Sequence, residues 1–207
     1  MTDQLTALYV HFPFCVQKCR YCDFLSFAAP ERIPAYLEAL ILEIRHTVRQ
    51  LAQDGWHISS IFIGGGTPSL MDEKQLSRLM TAVTDGPLCS DAEITIESNP
   101  GTLTQNKLAA MRRLGINRLS IGLQSADNEE LAALGRIHTF EQFEQNYAAA
   151  RAAGFRNINI DLMSALPGQT PASYERTLSR VLALAPEHIS AYSLIIEEGT
   201  PFYTYYE

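Results

Sequence analysis

Hydrophobic positions along the chain follow two spacings in turn. Short apolar runs rich in β-branched or aromatic residues predict strands, and longer segments with apolar residues every three or four positions predict helices. The predicted strands cover 7–12, 58–66, 92–98, 116–125, 156–168 (a strand with its following loop) and 188–196. The predicted helices cover 31–53, 72–85, 104–115, 128–135, 140–154 and 171–184.

The order of these elements predicts an α/β fold with parallel strands joined by right-handed crossovers. Six β-then-α units, the sixth without its helix, fit either a partial (β/α)6 barrel or a doubly wound sheet. The chain stops at "GTPFYTYYE", soon after the last predicted strand. We therefore expect the last helix, and any region beyond it, to be missing from this chain, which would leave an apolar face exposed.

Composition and charge restrict the class of protein. The chain has 207 residues, of which 46% are hydrophobic and 19% charged, as is typical of a folded soluble domain. The formal net charge of −7 argues against a general nucleic-acid-binding surface. The N-terminus lacks the basic segment of a signal peptide, and no apolar run approaches the roughly 20 residues that span a bilayer. We expect a cytoplasmic protein.

Unusual residues cluster at the ends of the predicted strands. Parallel α/β sheets bind ligands at the C-terminal ends of their strands, so these residues predict one site on one rim. In chain order the segments are the cysteine-rich stretch after the first strand, "GGGTP" (64–68), "ESNPG" (97–101), "GLQS" (122–125), Asp161 with "LPGQT" (166–170), and "EEGTP" (197–201).

The stretch "HFPFCVQKCRYCDF" (11–24) holds three of the four cysteines, spaced C-x3-C-x2-C. In a reducing compartment, clustered thiols are more often metal ligands or redox groups than disulfides. A zinc ion would need a fourth ligand, such as His11 or Cys89. Three thiolates can instead hold three irons of a [4Fe–4S] cube and leave the fourth iron open. The spacing favours the iron–sulfur cluster, with zinc and free thiols as alternatives.

The cysteine spacing and the glycines after the second strand resemble the radical S-adenosylmethionine (SAM) superfamily. The whole chain is similar to its oxygen-independent coproporphyrinogen III oxidase-like branch, which includes HemN oxidases and HemW haem chaperones. Phe24 stands where HemN-type sequences carry a fourth cysteine, so the resemblance favours the HemW type. Ser164 and Ala165 depart from the Tyr-Gly that usually precedes Leu-Pro-Gly in HemW relatives. The similar segments are "YVHFPFC", "IGGGTPS", "IESNPGTL", "NRLSIGLQS", "LGRIHT", "NIDLMSALPGQT" and "ISAYSLIIEEGTPFY".

The resemblance implies a role for each residue of the site. Cys15, Cys19 and Cys22 ligate the [4Fe–4S] cluster, whose open iron binds the amino and carboxylate groups of SAM. The implied SAM-binding residues are Tyr9 beside the pocket, Tyr21 at the adenine, Gly65, Gly66 and Thr67 near the methionine end, Glu97, Gln124, Arg136 and Asp161 in the polar part, and Ile195 as an apolar wall. Asp161 as a structural carboxylate and Arg136 as a surface residue are alternatives.

The resemblance further implies a haem chaperone that binds haem and delivers it to haemoproteins, and that uses an electron donor. Two alternatives stay open: a coproporphyrinogen III oxidase that uses a 5′-deoxyadenosyl radical, and an inactive truncated fragment. Whether the protein is an enzyme is thus undecided. Residues 1–207 correspond to the radical SAM core domain, without the C-terminal region that carries the family's haem-binding histidine motif. A homodimer and contact with a peripheral membrane client are further expectations from the family, and no nucleic-acid partner is expected.

Overall fold

A computed structural model describes residues 4–206, in which strands and helices alternate. The strands are β1 (Gln4–Phe12), β2 (Trp56–Gly65), β3 (Leu88–Ser98), β4 (Arg118–Gln124), β5 (Ile158–Ser164) and β6 (His188–Ser193). The helices are α1 (Ile33–Gln53), α2 (Glu73–Thr84), α3 (Gln105–Arg113), α4 (Asn128–Ala133), α5 (Phe140–Ala152), α6 (Pro171–Leu182) and α7 (Pro201–Tyr206). Short 3₁₀ turns at Pro30–Arg32 and Pro68–Leu70 were not predicted.

The six strands form one parallel sheet in the order β1-β2-β3-β4-β5-β6. Neighbours in sequence are therefore neighbours in space, as in a barrel that has not closed. A doubly wound sheet would instead reverse its strand order in the middle. The sheet curls into a half-barrel with helices on its outer side, which confirms the predicted partial barrel and excludes the doubly wound alternative.

Side chains on the central strands point alternately into the hydrophobic core and toward the concave face of the sheet. Ile121 and Ile160 are fully buried in the hydrophobic core. Glu97, Gly122 and Asp161, at positions of the opposite parity on their strands, line a cavity on the concave face. Because side chains alternate sides along a strand, each central strand contributes apolar residues to the core and polar residues to the cavity.

Local signals explain where several helices begin. Asp72, Thr139 and Thr170 cap α2, α5 and α6, and each forms a reciprocal capping box with the residue three positions later. Such caps satisfy backbone N–H groups that have no partner inside the helix. The observed starts agree with the predicted ones to within a few residues.

Helix α7 was not predicted from the sequence. Its aromatic residues favour strands, and with six residues it is as short as α4. The helix forms because Phe202 is buried against Leu134, Met163 and Leu166, at the C-terminal ends of the strands. Helix α7 follows β6, and its Phe202 N–H donates to Arg20 O in the cysteine-rich stretch at 3.0 Å. Within residues 4–206, no helix is long and apolar enough to span a membrane.

Two alanines adopt the left-handed backbone conformation that favours glycine. Ala165, just after β5, has φ +59°, and Ala185, just after α6, has φ +49°. The left-handed conformation is costly for residues with a Cβ atom. We predict that Ala165→Gly and Ala185→Gly each raise the free energy of unfolding by about 0.5–1 kcal/mol.

Urea unfolding followed by circular dichroism measures the effect of each substitution. Ala109→Gly, at an exposed position inside α3, is the matched control. The same change there should lower the free energy of unfolding by about 1 kcal/mol. A loss of stability at all three positions would contradict the assigned backbone conformations.

Candidate functional site

A cavity of about 480 Å³ opens at the C-terminal ends of the strands. This volume lies within the range of small-molecule binding sites. Eleven of the thirteen residues predicted for the site line it. These are Cys15, Cys19, Tyr21, Cys22, Gly65, Gly66, Glu97, Gln124, Arg136, Asp161 and Ile195.

Tyr9 and Thr67 do not line this cavity. Tyr9 is 57% exposed; its hydroxyl is 3.0 Å from His11 Nδ1 and its ring stacks on Phe62. Thr67 is buried beneath the cysteine loop, where its backbone N–H donates to the Phe14 carbonyl oxygen at 2.7 Å. Neither side chain therefore forms part of the cavity wall, although Thr67 contacts Cys15 from outside it.

Backbone hydrogen bonds hold the cysteine loop to distant segments. The N–H of Cys15 donates to Phe27 O at 3.0 Å, and the N–H of Arg20 donates to Leu134 O at 3.1 Å. The N–H of Phe202 in turn donates to Arg20 O at 3.0 Å. The middle of the loop is thus fixed at Arg20, which bonds both to Leu134, directly after α4, and to Phe202 of α7.

Gly66 allows the loop after β2 to approach the cysteine loop closely. A Cβ atom at Gly66 would lie 2.6 Å from the carbonyl oxygen of Phe14, too close for any side chain. The N–H of Gly66 donates to Phe12 O at 2.8 Å. Glycine at this position therefore lets the two loops pack backbone to backbone next to Cys15.

Each cysteine sulfur in the loop has a hydrogen-bond donor nearby. Thr67 Oγ1 donates to Cys15 Sγ and Arg136 Nη1 donates to Cys19 Sγ, both at 3.5 Å. Burial raises the pKa of Cys22, and the backbone N–H of residue 24 opposes that rise. All three thiols are free and half-buried at the cavity edge.

The thiols fit an iron–sulfur cluster better than a zinc ion. Within residues 4–206, no three His, Cys, Asp or Glu side chains are arranged to hold one metal ion, as zinc would require. His11 uses both ring nitrogens, toward Tyr9 Oη and Leu25 O at 3.0 Å each. Cys89 lies at the opposite end of the sheet, near the start of β3. A cube needs each sulfur on a different iron, so the sulfurs need not converge on one point.

Two carboxylates in the cavity wall are shifted toward the neutral form. Burial raises the pKa of Glu97 to about 7, although Gly65 N–H donates to its Oε2 at 2.9 Å. Burial also raises the pKa of Asp161, against hydrogen bonds from Asn159 and Ser120. Carboxylates in such surroundings favour a ligand that brings positive charge or hydroxyl donors.

Arg136 adds a positively charged hydrogen-bond donor to the cavity wall that holds these carboxylates. Its Nη2 donates to Gly122 O at 2.6 Å, and a Cβ atom at Gly122 would lie 2.7 Å from that nitrogen. Its Nε is buried and has no hydrogen-bond partner among the described residues. Since a buried unpaired donor is costly, Arg136 is suited to receive an anionic group of a ligand. This position excludes the alternative that Arg136 is a surface residue.

The sequence analysis missed Tyr192 and Asn99. The Tyr192 hydroxyl reaches across β5 and donates to Gln124 Oε1 at 2.8 Å, while burial, followed by the charge of Asp161, raises the Tyr192 pKa to about 12. Gln124 is buried with a left-handed backbone, φ +75°, at the end of β4. The register of β6 against β5 could have placed Tyr192 on the concave face, and "ESNPG" already contained Asn99.

Comparison with known proteins identifies relatives of this chain. The sequence profile of the Radical SAM superfamily matches residues 9–181. The chain is 39% identical over 202 residues to the heme chaperone HemW of Bacillus subtilis (strain 168), covering 96% of this chain and 53% of that protein. It is 41% identical over 199 residues to the heme chaperone HemW of Escherichia coli (strain K12), covering 95% and 52%. The chain thus spans about half the length of these relatives.

A solved structure supports the same relationship. Coproporphyrinogen III oxidase (HemN) of Escherichia coli, a radical SAM enzyme, superposes with a TM-score of 0.85 at 36% identity. The superposition covers 93% of this chain and 44% of the other. The chain therefore resembles HemN in sequence as well as in fold.

The raised pKa of Glu97 makes stability depend on pH. A carboxyl whose pKa is higher in the folded chain than in the unfolded chain keeps its proton longer when folded. The free energy of unfolding should therefore fall as pH rises from 4.5 to about 7. The raised pKa of Asp161 adds to this fall in stability with rising pH. We predict that Glu97→Gln removes part of this slope and is more stable than the parent at pH 8 by roughly 2 kcal/mol.

Urea titrations across this pH range provide the measurement. Glu144→Gln, at an exposed position of α5, is the control and should follow the parent curve. Parallel curves for the parent and Glu97→Gln would show that Glu97 is ionised like a solvated carboxyl.

Proposed function

Because this chain belongs to the radical SAM superfamily, in its HemN-like branch, we propose that residues 1–207 form a radical SAM core domain that holds a [4Fe–4S] cluster and SAM. Cys15, Cys19 and Cys22 would ligate the cluster. One observation carries the proposal: three free thiols adjoin a cavity whose wall presents buried carboxylates and an unpaired guanidinium nitrogen.

The chemistry of the cavity wall suits SAM, which has a sulfonium cation, a carboxylate and ribose hydroxyls. Glu97 and Asp161 would accept hydrogen bonds from hydroxyls or face the cationic part. Arg136 and Gln124 would donate to acidic or carbonyl oxygens, and Ile195 would contact the adenosyl group. When bound together, the reduced cluster and SAM supply radical chemistry through cleavage of a carbon–sulfur bond of SAM.

We further propose that the full protein is a haem chaperone of the HemW type, located in the cytoplasm, that binds haem and delivers it to haemoproteins. Two relatives named as heme chaperones, at 39% and 41% identity, support this proposal. Phe24, which is 70% exposed at the cavity edge, also supports it, because an oxidase of the HemN type is expected to carry cysteine there. An electron donor is the further partner, and a homodimer belongs to the same proposal.

A coproporphyrinogen III oxidase is the second candidate. The TM-score of 0.85 and 36% identity to HemN favour it. Anaerobic incubation of the loaded protein with SAM, dithionite and coproporphyrinogen III separates the two functions. Decarboxylated product would support the oxidase, whereas haem binding and transfer to an apo-haemoprotein without such product would support the chaperone.

We predict that anaerobic reconstitution with iron and sulfide gives about four irons per chain. The reduced protein should show an EPR signal that changes when SAM is added, because the open iron and the cavity adjoin. Cys19→Ser should lose most of the bound iron, since one ligand and the sulfur contacted by Arg136 are removed.

Cys89→Ser is the matched control, because Cys89 lies outside the cavity. It should bind as much iron as the parent. A parent chain that takes up no iron, or a signal unchanged by SAM, would contradict the proposed core and leave the inactive fragment as the better description.

We predict that Tyr192→Phe weakens SAM binding about fivefold, the equivalent of one ordinary hydrogen bond. Without the hydroxyl, the Gln124 amide loses the contact that fixes which of its ends faces the cavity. Isothermal titration calorimetry of the loaded protein measures the affinity. Tyr205→Phe, at a position 70% exposed on α7, is the control and should bind like the parent. Equal affinities for all three proteins would show that Tyr192 does not orient Gln124.

A further inference from the structure

Thr67 contacts a cysteine sulfur instead of the cavity. Its Oγ1 lies 3.5 Å from Cys15 Sγ, and Thr67 is only 3% exposed. The Thr67 side chain is absent from the cavity lining, although the resemblance assigned it to SAM. Its position beside the sulfur therefore needs a different explanation.

Asn99 fixes the direction of the Thr67 hydroxyl. The Asn99 side-chain N–H donates to Thr67 Oγ1 at 2.9 Å. Since Thr67 Oγ1 accepts from Asn99, its single proton is free to point at Cys15 Sγ. The loop backbone supports the same arrangement, because Thr67 N–H bonds to Phe14 O, next to Cys15. Three segments of the chain thus combine to aim one O–H group at one sulfur.

We infer that Thr67, oriented by Asn99, sets the reduction potential of the cluster by donating a hydrogen bond to the Cys15 thiolate. This inference rests on the proposed cluster site. Reduction adds one electron and makes the cluster and its sulfurs more negative. A donor to a ligand sulfur stabilises the more negative state, so it makes reduction easier.

Thr67 is the best position at which to test this effect. Arg136 also donates to a sulfur, but it lines the cavity, so replacing it would change ligand binding as well. The donor near Cys22 is a backbone N–H and cannot be removed by substituting a side chain. Thr67→Val keeps the shape of the side chain and removes the hydroxyl, and Thr67 itself does not line the cavity.

The experiment measures reduction of the cluster in the reconstituted full chain, without SAM. Dithionite supplies one electron per cluster in a solution poised by redox dyes, and EPR gives the ratio of reduced to oxidised cluster. At a fixed potential this ratio should be about fivefold lower in Thr67→Val than in the parent, the equivalent of one hydrogen bond. Thr67→Ser, which keeps the hydroxyl, should restore the parent ratio.

Thr84→Val, the same substitution at the end of α2, is the control and should match the parent. If Thr67→Val binds less iron than the parent, Thr67→Ala takes its place and should show the same lower ratio. Equal ratios for the parent and the hydroxyl-free variants would overturn the inference while leaving the cluster site intact. A normal ratio combined with loss of the SAM-induced EPR change would also overturn it, and would make Thr67 a SAM ligand. A parent chain without a cluster would overturn both this inference and the proposed function.

Discussion

The site depends on the attachment of the cysteine loop to the rest of the molecule. A loop that carries three free thiols has no core of its own, so contacts from other segments must fix its path. Backbone hydrogen bonds from Cys15 to Phe27, Arg20 to Leu134 and Phe202 to Arg20 do this. Because these bonds join the loop to the end of α4 and to α7, the cysteines keep a defined position relative to the strand ends.

The open sheet explains why polar groups can line its concave face. In a closed eight-stranded barrel, the interior is filled by packed side chains, most of them apolar. Here six strands curl without closing, and the concave face carries Glu97, Gly122 and Asp161. Incomplete desolvation and hydrogen bonds from Gly65, Ser120 and Asn159 make the two carboxylates tolerable. The apolar core lies instead between the sheet and the outer helices.

Two sets of interactions meet at the cysteine loop. Residues on the cavity side, such as Arg136 and Glu97, line the wall that a ligand would contact. Thr67 lies outside that wall, where its hydroxyl contacts Cys15 Sγ, and Asn99, which lines the cavity, donates to the same hydroxyl. Under the proposed function, substitutions in the cavity wall would change the affinity for a ligand, and substitution of Thr67 would change the ease of cluster reduction. Arg136 joins the two sets, because it contacts both Cys19 Sγ and the floor of the cavity at Gly122.

The sequence by itself determined the order of the elements, the parallel sheet and the residues at the strand ends. Strand and helix periodicities are local, so they can be read without knowing the fold, and parallel strands bring their ends to one edge. The tertiary structure decided which side chains reach the cavity. Tyr9 is on β1 but away from the cavity, and Thr67 turns toward a sulfur. Tyr192 reaches Gln124 across an intervening strand, and α7 forms through the burial of Phe202. These outcomes depend on contacts between residues far apart in the chain, which no local pattern encodes.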